Sequence, residues 1–166
     1  MELFEEIRVL RKDAKEEKFS CPKDARKKAM DFLARREHSQ VELTNKLVNK
    51  GYFRQIAEEV VTTLTNEGLQ SNDRFAEAFV QSRINQGKGP IRIRLDLSQR
   101  GICDSNIEKA IGESGADWYK LALNARSRKF GLDKPEDFKA LAKQIRFLRY
   151  RGFDQEHIQL ALKSLS

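Results

Sequence analysis

The dipeptides Lys50-Gly51, Arg100-Gly101 and Arg151-Gly152 return at a nearly constant interval, their glycines 50 and then 51 positions apart by subtraction of their numbers. Each is followed by an apolar residue, Tyr52, Ile102 or Phe153, and four positions before each glycine stands a leucine, Leu47, Leu97 or Leu148. Nine and ten positions past the glycines come Val60-Val61, Ala110-Ile111 and Ala161-Leu162. A base in the last turn of a helix, glycine just beyond it and then an apolar residue is the sequence form of a helix C-cap. Glycine enters the left-handed conformation without a Cβ clash, and the apolar residue folds back on the helix it ends. One such corner means only a helix stop. Three in register mean one supersecondary unit used three times.

Working outward from the corners, each unit resolves into three helices. In the first, from about Ala25, the apolar stripe of Ala29, Phe32 and Leu33 marks a helix that stops at His38-Ser39. Ser39-Gln40-Val41-Glu42 is a capping box that starts the next, with Leu43 and Leu47 one turn apart on its buried face. Ile56, Val60 and Leu64 then recur every four residues, which outweighs the strand propensity of Val60-Val61-Thr62-Thr63. In the second unit Phe75, Ala78 and Phe79 head a helix that stops at Gly87-Lys88-Gly89-Pro90. Pro90 suits the first turn of the following helix, where Ile93 and Leu97 take the slots of Leu43 and Leu47. Asp104 or Ser105 caps a short third helix carrying Ile107, Ala110 and Ile111, with Ser105-x-x-Glu108 as a second capping box.

The third unit begins with Trp118-Tyr119-Lys120-Leu121-Ala122 and breaks near Gly131; Asp133-Lys134-Pro135-Glu136-Asp137 starts its middle helix. Here Gln144 fills the slot of Leu43 and Ile93, a departure from the pattern. The last helix, from Asp154, sets Ile158, Ala161, Leu162 and Leu165 on one side. The fold class is therefore all-α: three tandem three-helix repeats over residues 25–71, 72–115 and 116–166, nine helices with no strand. Units of this size bury little core alone, so neighbours pack on each other or share a bent, elongated array.

Residues 1–24 read as an N-terminal extension. Leu3, Ile7, Leu10 and Ala14 fall at helical spacing, but a short lone helix is marginal in water. A mobile tail and docking on the body both remain open.

Composition narrows the function classes. Charged residues make up 34% and hydrophobic ones 39% of the 166, with three prolines, which suits a soluble helical protein. No stretch has the length and apolarity of a membrane span, and the acidic start lacks an export-signal pattern, so a cytoplasmic setting is expected. Cys21 and Cys103 are too few for a disulfide framework or a zinc site. His38 and His157 start helices in different repeats with no nucleophile motif nearby, so they are expected to be solvated or capping. The turn at Lys88 lacks phosphate-loop spacing. The chain is expected to be a binder rather than an enzyme, with no cofactor, no metal and a monomeric state.

The net charge of +7 divides as −1 over residues 1–24, +2 over 25–71, +1 over 72–115 and +5 over 116–166. Basic residues lie on helices whose other face is apolar: Lys88, Arg92, Arg94 and Arg100 near the second corner, then Arg126, Arg128, Lys129, Arg146, Arg149 and Arg151 in the third unit. Phe130, Phe147, Tyr150 and Phe153 are interleaved with them. Any one of these bases alone could be a solvated face. Their clustering tilts toward a polyanion or an acidic protein groove.

Four stretches carry a family resemblance: KGPIRIRLDLSQRGI from Lys88 to Ile102, NDRFAEAFVQSR from Asn72 to Arg83, HSQVELTNKLVNKGY from His38 to Tyr52, and QIRFLRYRGF from Gln144 to Phe153. They resemble the RecX family over residues 25 to 166. The resemblance implies a curved molecule of three three-helix repeats that regulates the RecA recombinase. It implies binding along the groove of RecA filaments on single-stranded DNA, with weaker duplex binding allowed. It further implies inhibition of RecA ATP hydrolysis, strand exchange and the coprotease activity behind the SOS response. No catalytic residue comes with it. Two other classes remain open: a free-standing DNA-binding module acting through one helix-turn-helix unit, and a helical scaffold that binds only protein.

Overall fold

The three corners close alike. In the computed structural model, which describes residues 5–8 and 19–163, Gly51, Gly101 and Gly152 take φ of 106°, 76° and 93°. The apolar residue after each glycine donates its backbone N–H to the carbonyl of the corner leucine: Tyr52 to Leu47 at 3.2 Å, Ile102 to Leu97 at 3.2 Å, Phe153 to Leu148 at 3.1 Å. Each glycine N–H bonds three residues back, to Val48, Ser98 and Arg149. This is the paired backbone bonding of a Schellman cap. Leu47, Leu97 and Leu148 are fully buried, worth roughly 2–3 kcal/mol each in apolar transfer.

The regular elements of the described residues are all helical. Beyond the helical residues 5–8 they are α1 (Pro22–Leu33), α2 (Gln40–Asn49), α3 (Arg54–Asn66), α4 (Asn72–Asn85), α5 (Pro90–Ser98), α6 (Asp104–Glu113), α7 (Trp118–Phe130), α8 (Phe138–Arg151) and α9 (Gln155–Lys163). The chain divides into two compact units, Met1–Phe75 and Ala76–Ser166, with the boundary inside α4. Of the N-terminal stripe expected from Leu3, Ile7, Leu10 and Ala14, only Ile7 lies among the described residues; Leu165 also falls outside them.

In the first unit α3 packs on both α1 and α2. Its core is Ala25 and Ala29 from α1, Leu43 and Leu47 from α2, Tyr52 at the corner, and Ala57, Val60, Val61 and Leu64 from α3. The β-branched run stays helical, because Val60 and Val61 bury while the Thr63 hydroxyl turns back to the Glu59 carbonyl at 2.9 Å. Ser39 caps α2 by accepting from the Glu42 N–H at 3.1 Å. Phe19 meets Tyr52 edge-on at 5.5 Å. The Tyr52 hydroxyl donates to Asp24 at 2.5 Å, and burial first, then that carboxylate, push the phenol pKa up to about 12.

His38 departs from the solvated or capping role expected of it. It is buried, with Nδ1 3.3 Å from Glu42 Oε2, and its carbonyl accepts from the buried Gln70 side chain at 3.0 Å. Gln70 also accepts from the Thr65 hydroxyl at 2.8 Å and donates to Asn72 at 3.0 Å, so a buried amide is satisfied on every side shown.

The second unit holds the rest of α4 and α5 to α9. Ile93, Leu97, Ile102, Ile107, Ala110 and Ile111 are buried along α5 and α6, which pack together. Helix α7 lies against α8 and α9 around Ala122, Leu148, Phe153, Ile158 and Ala161. Two local expectations change. The buried stripe of α4 runs through Phe75, Ala76 and Val80, while Ala78 is exposed and Phe79 is half-buried beneath guanidinium groups. The Ser105 capping box does not form: α6 already begins at Asp104, with Cys103 as N-cap, and Glu108 pairs with Arg94 instead.

Candidate nucleic-acid interface

Helix α4 ends on Gly87, at φ 70°, and Gly89-Pro90 turns the chain into α5. Proline at the first helical position gives up an N–H that no helical carbonyl would have used. The donors on either side of it are used outside the helix. The Gly89 N–H bonds the Arg151 carbonyl at 2.8 Å, and the Ile91 N–H bonds the Gly152 carbonyl at 3.0 Å. The positive start of α5 thus meets the negative end of α8. Both glycines are required by contact. A Cβ on Gly89 would lie 2.4 Å from the Gly152 carbonyl carbon and oxygen, and one on Gly152 would lie 2.4 Å from Arg92 Cβ.

This junction gathers bases from three helices, two of them on one carboxylate. Asp96 on α5, nearly buried, takes Arg92 Nε at 3.0 Å on Oδ1 and Arg83 Nε at 3.5 Å on Oδ2. Its backbone carbonyl accepts from Arg100 Nη1 at 2.6 Å. Two guanidinium groups lie over the Phe79 ring, Arg83 at 4.6 Å and Arg100 at 4.8 Å. Arg151 donates from Nη1 to the Gln86 carbonyl at 2.9 Å and lies over Phe147 at 5.1 Å. Lys88 Nζ stands 6.0 Å from the ring of Tyr150, which is 73% exposed. Burial pulls the Lys88 pKa down, and Arg151, Arg92 and Arg83 lower it further against the single opposing pull of Asp96. Arg83 and Arg92 share the Asp96 carboxylate, and the bases gathered here are held by bonds, ion pairs or rings rather than waving in solvent.

The bases expected to act at the surface separate into groups. Lys88, Arg92, Arg100 and Arg151 come together at the junction. Arg128 and Lys129 are exposed and line a neighbouring cleft of about 420 Å³ between the end of α4 and helices α7 and α8. Arg146 is exposed on α8, and Arg149 donates to Gln155 at 2.8 Å. Arg94 is held in a two-bond pair with Glu108 at 2.6 and 3.0 Å, which lowers the Glu108 pKa. Arg126 is corrected outright. Its place beside Ala122 on the inner face of α7 buries it fully, with bonds to Gln144 and to the carbonyls of Gly131 and Asp133. A side chain so committed does not reach a partner.

Sequence reading missed Arg83, Phe79 and Asp96 as parts of this cluster. The signal was partly present, since Arg92, Asp96 and Arg100 follow one another at four-residue steps on one helix face. Arg83 joins them only through the turn at Gly87-Lys88-Gly89. Among the described residues no group of three or more His, Cys, Asp or Glu side chains could hold a metal ion, and no helix is long and apolar enough to cross a membrane.

Comparison with known proteins agrees with the three-helix repeats. Models of the first, second and third three-helix domains of RecX match residues 25–64, 71–111 and 116–162. Two relatives named Regulatory protein RecX are similar over 137 residues, 82% of this chain and 88% of theirs. The one from Pseudomonas putida strain GB-1 is 44% identical, and the one from Pseudomonas fluorescens strain SBW25 is 46% identical. Among solved structures, a crystal structure of regulatory protein RecX matches 84% of this chain and 72% of its own, with a TM-score of 0.65 and 23% identity. RecX from Lactobacillus salivarius matches 87% of this chain and 96% of its own, with a TM-score of 0.64 and 22% identity. At that identity the two structures speak for the fold.

Proposed function

The chain belongs to the RecX family of regulatory proteins, and on that premise we propose that it binds RecA filaments on single-stranded DNA and lowers their activity. The activities concerned are ATP hydrolysis, strand exchange and the coprotease function, in recombination, DNA repair and the SOS response. On this reading it works in the cytoplasm as a monomer, by binding rather than by catalysis; its relatives are named regulatory proteins.

The observation that carries the reading is the junction cluster. Arg83 and Arg92 pair with the Asp96 carboxylate, Arg100 bonds the Asp96 backbone carbonyl, Arg151 is held by the Gln86 carbonyl, and the exposed Tyr150 ring stands beside Lys88. Fixed cations next to an open aromatic ring suit a single strand, whose phosphates release counterions and whose bases stack on any π-face. Several weak contacts of this kind add through effective concentration along a filament.

The test is ATP hydrolysis by preformed RecA filaments on single-stranded DNA. The protein is expected to lower the rate, and the Lys88→Ala/Tyr150→Ala variant to need several-fold more protein for the same effect. No change in hydrolysis with excess protein would refute the reading. Equal binding to duplex DNA with RecA present or absent would favour a free-standing DNA-binding module.

A further inference from the structure

The cleft beside the junction has a more specific chemistry than the cluster itself. Its floor is apolar, with Leu121 and Ala125 from α7, and its walls carry Arg128, Lys129 and Arg151. Its described lining residues include no carboxylate. The Arg151 guanidinium is set as a platform: the Gln86 carbonyl holds its Nη1, Phe147 backs it at 5.1 Å, and Phe130 fixes Phe147 edge-on at 5.3 Å.

We propose that this cleft seats one unpaired nucleotide of single-stranded DNA, with its phosphate at Arg128 and Lys129 and its base against the guanidinium plane of Arg151. The inference rests on the DNA-filament reading above and narrows it to one subsite. Two adjacent cations in a cleft whose described lining holds no acid suit a phosphate ester. A planar cation backed by an aromatic ring suits a base, which stacks on guanidinium planes as it does on aromatic rings. About 420 Å³ is room for one nucleotide, not for a duplex whose bases stay in the stack. An acidic peptide would neutralise the cations but leave the apolar floor and the planar platform without a matching group.

The probes are a fluorescein-labelled oligothymidylate and a labelled abasic strand of equal length, bound to the full chain and followed by anisotropy across a salt series. Wild-type protein is expected to bind the strand with bases more tightly. Arg128→Ala/Lys129→Ala, at exposed positions, should weaken binding about tenfold and reduce the salt slope by about 0.7, the value for one single-strand phosphate. Arg151→Lys keeps the charge and removes the plane, so it should erase the preference for bases over the abasic strand. Circular dichroism melts check that both variants are folded.

Unchanged affinity and slope in Arg128→Ala/Lys129→Ala, or equal wild-type binding of the two strands, would overturn the subsite. So would displacement of the strand by thymidine monophosphate or ATP at concentrations far below those of non-specific competition, which would assign the cleft to a free nucleotide. Displacement by oligoglutamate but not by phosphate-bearing competitors would assign it to a protein partner and equally overturn it. RecA ATPase inhibition separates this subsite from the broader reading. If the wild-type protein inhibits while the DNA results fail, the subsite falls and the regulatory role stands; if the wild-type protein does not inhibit, the role falls.

Discussion

The fully buried guanidinium of Arg126 donates from Nε to the side-chain carbonyl of Gln144 at 3.0 Å. Gln144 occupies the slot that Leu43 and Ile93 fill in the other repeats, so this bond explains why the third repeat breaks its own pattern. The remaining guanidinium nitrogens take the carbonyls of Gly131 and Asp133, tying down the loop into α8. Arg126→Met alone should destabilise the second unit by roughly 2–4 kcal/mol, because it strands buried acceptors. Adding Gln144→Leu restores the apolar slot and should recover the part of that loss that comes from the stranded Gln144 amide, leaving the part from the Gly131 and Asp133 carbonyls. Urea unfolding of the two single variants and the double variant reads this directly. A double variant no better than Arg126→Met would mean that the pair is not coupled.

Gly89 and Gly152 touch backbone to backbone, which makes the junction intolerant of any side chain. Gly89→Ala would push a methyl group to 2.4 Å from the Gly152 carbonyl, so the strands of backbone must part and the two bonds between them must stretch. The expected cost is above about 2 kcal/mol. Gly112→Ala is the control: nothing lies within 4 Å of its added Cβ and it sits within α6, so stability should hold or rise by about 0.5–1 kcal/mol. Equal melting temperatures for the two variants would contradict the contact.

The repeat and its helices were legible because they rest on periodic burial and glycine corners, both local signals. The corner leucines, the residues after the glycines and the Val60-Val61 positions bury as their spacing requires, Leu162 only in part. The site was legible only in part, because charge does not announce depth. Arg126, Arg128 and Lys129 look alike in sequence, yet a step of 100° per residue along α7 sends the first into the core and leaves the others outside. Arg83 and Arg151 were brought to the same cluster by the Gly89–Gly152 contact, a meeting of residues 63 positions apart by subtraction that no local pattern encodes. His38 went astray for the same reason, since what buries it is Gln70 and Phe32, not its own neighbours alone.

Asp96 is the counter-charge that lets the junction bases sit together. Asp96→Asn keeps the shape and removes the charge, so Arg83 and Arg92 lose their ion pairs and face Lys88 and Arg151 unopposed. A loss of roughly 1–3 kcal/mol is expected at low salt. Because the new term is repulsion among partly exposed cations, raising the salt should shrink the loss. Thermal melts of both proteins at low and high ionic strength check this. A loss that grows with salt would show that the carboxylate acts through something other than charge.

His38 gives the first unit an acid-sensitive point. Burial foremost, then Arg36, holds its pKa below the usual histidine value, against Glu42, which raises it; Lys46 adds a smaller lowering pull. Above the unfolded pKa of about 6.5 the ring is neutral in both states and contributes nothing to pH dependence. As pH falls below that point the unfolded chain takes the proton first, so the native unit binds fewer protons and loses stability until its own lower pKa is passed. The second unit carries the single tryptophan, Trp118, so its fluorescence follows that unit while circular dichroism follows helices in both. Between about pH 7.5 and 5.5 the dichroism midpoint in urea should fall by more than the Trp118 fluorescence midpoint. His38→Gln, which carries no titrating ring, should remove that difference. A difference that persists in the variant would place the acid-sensitive group elsewhere.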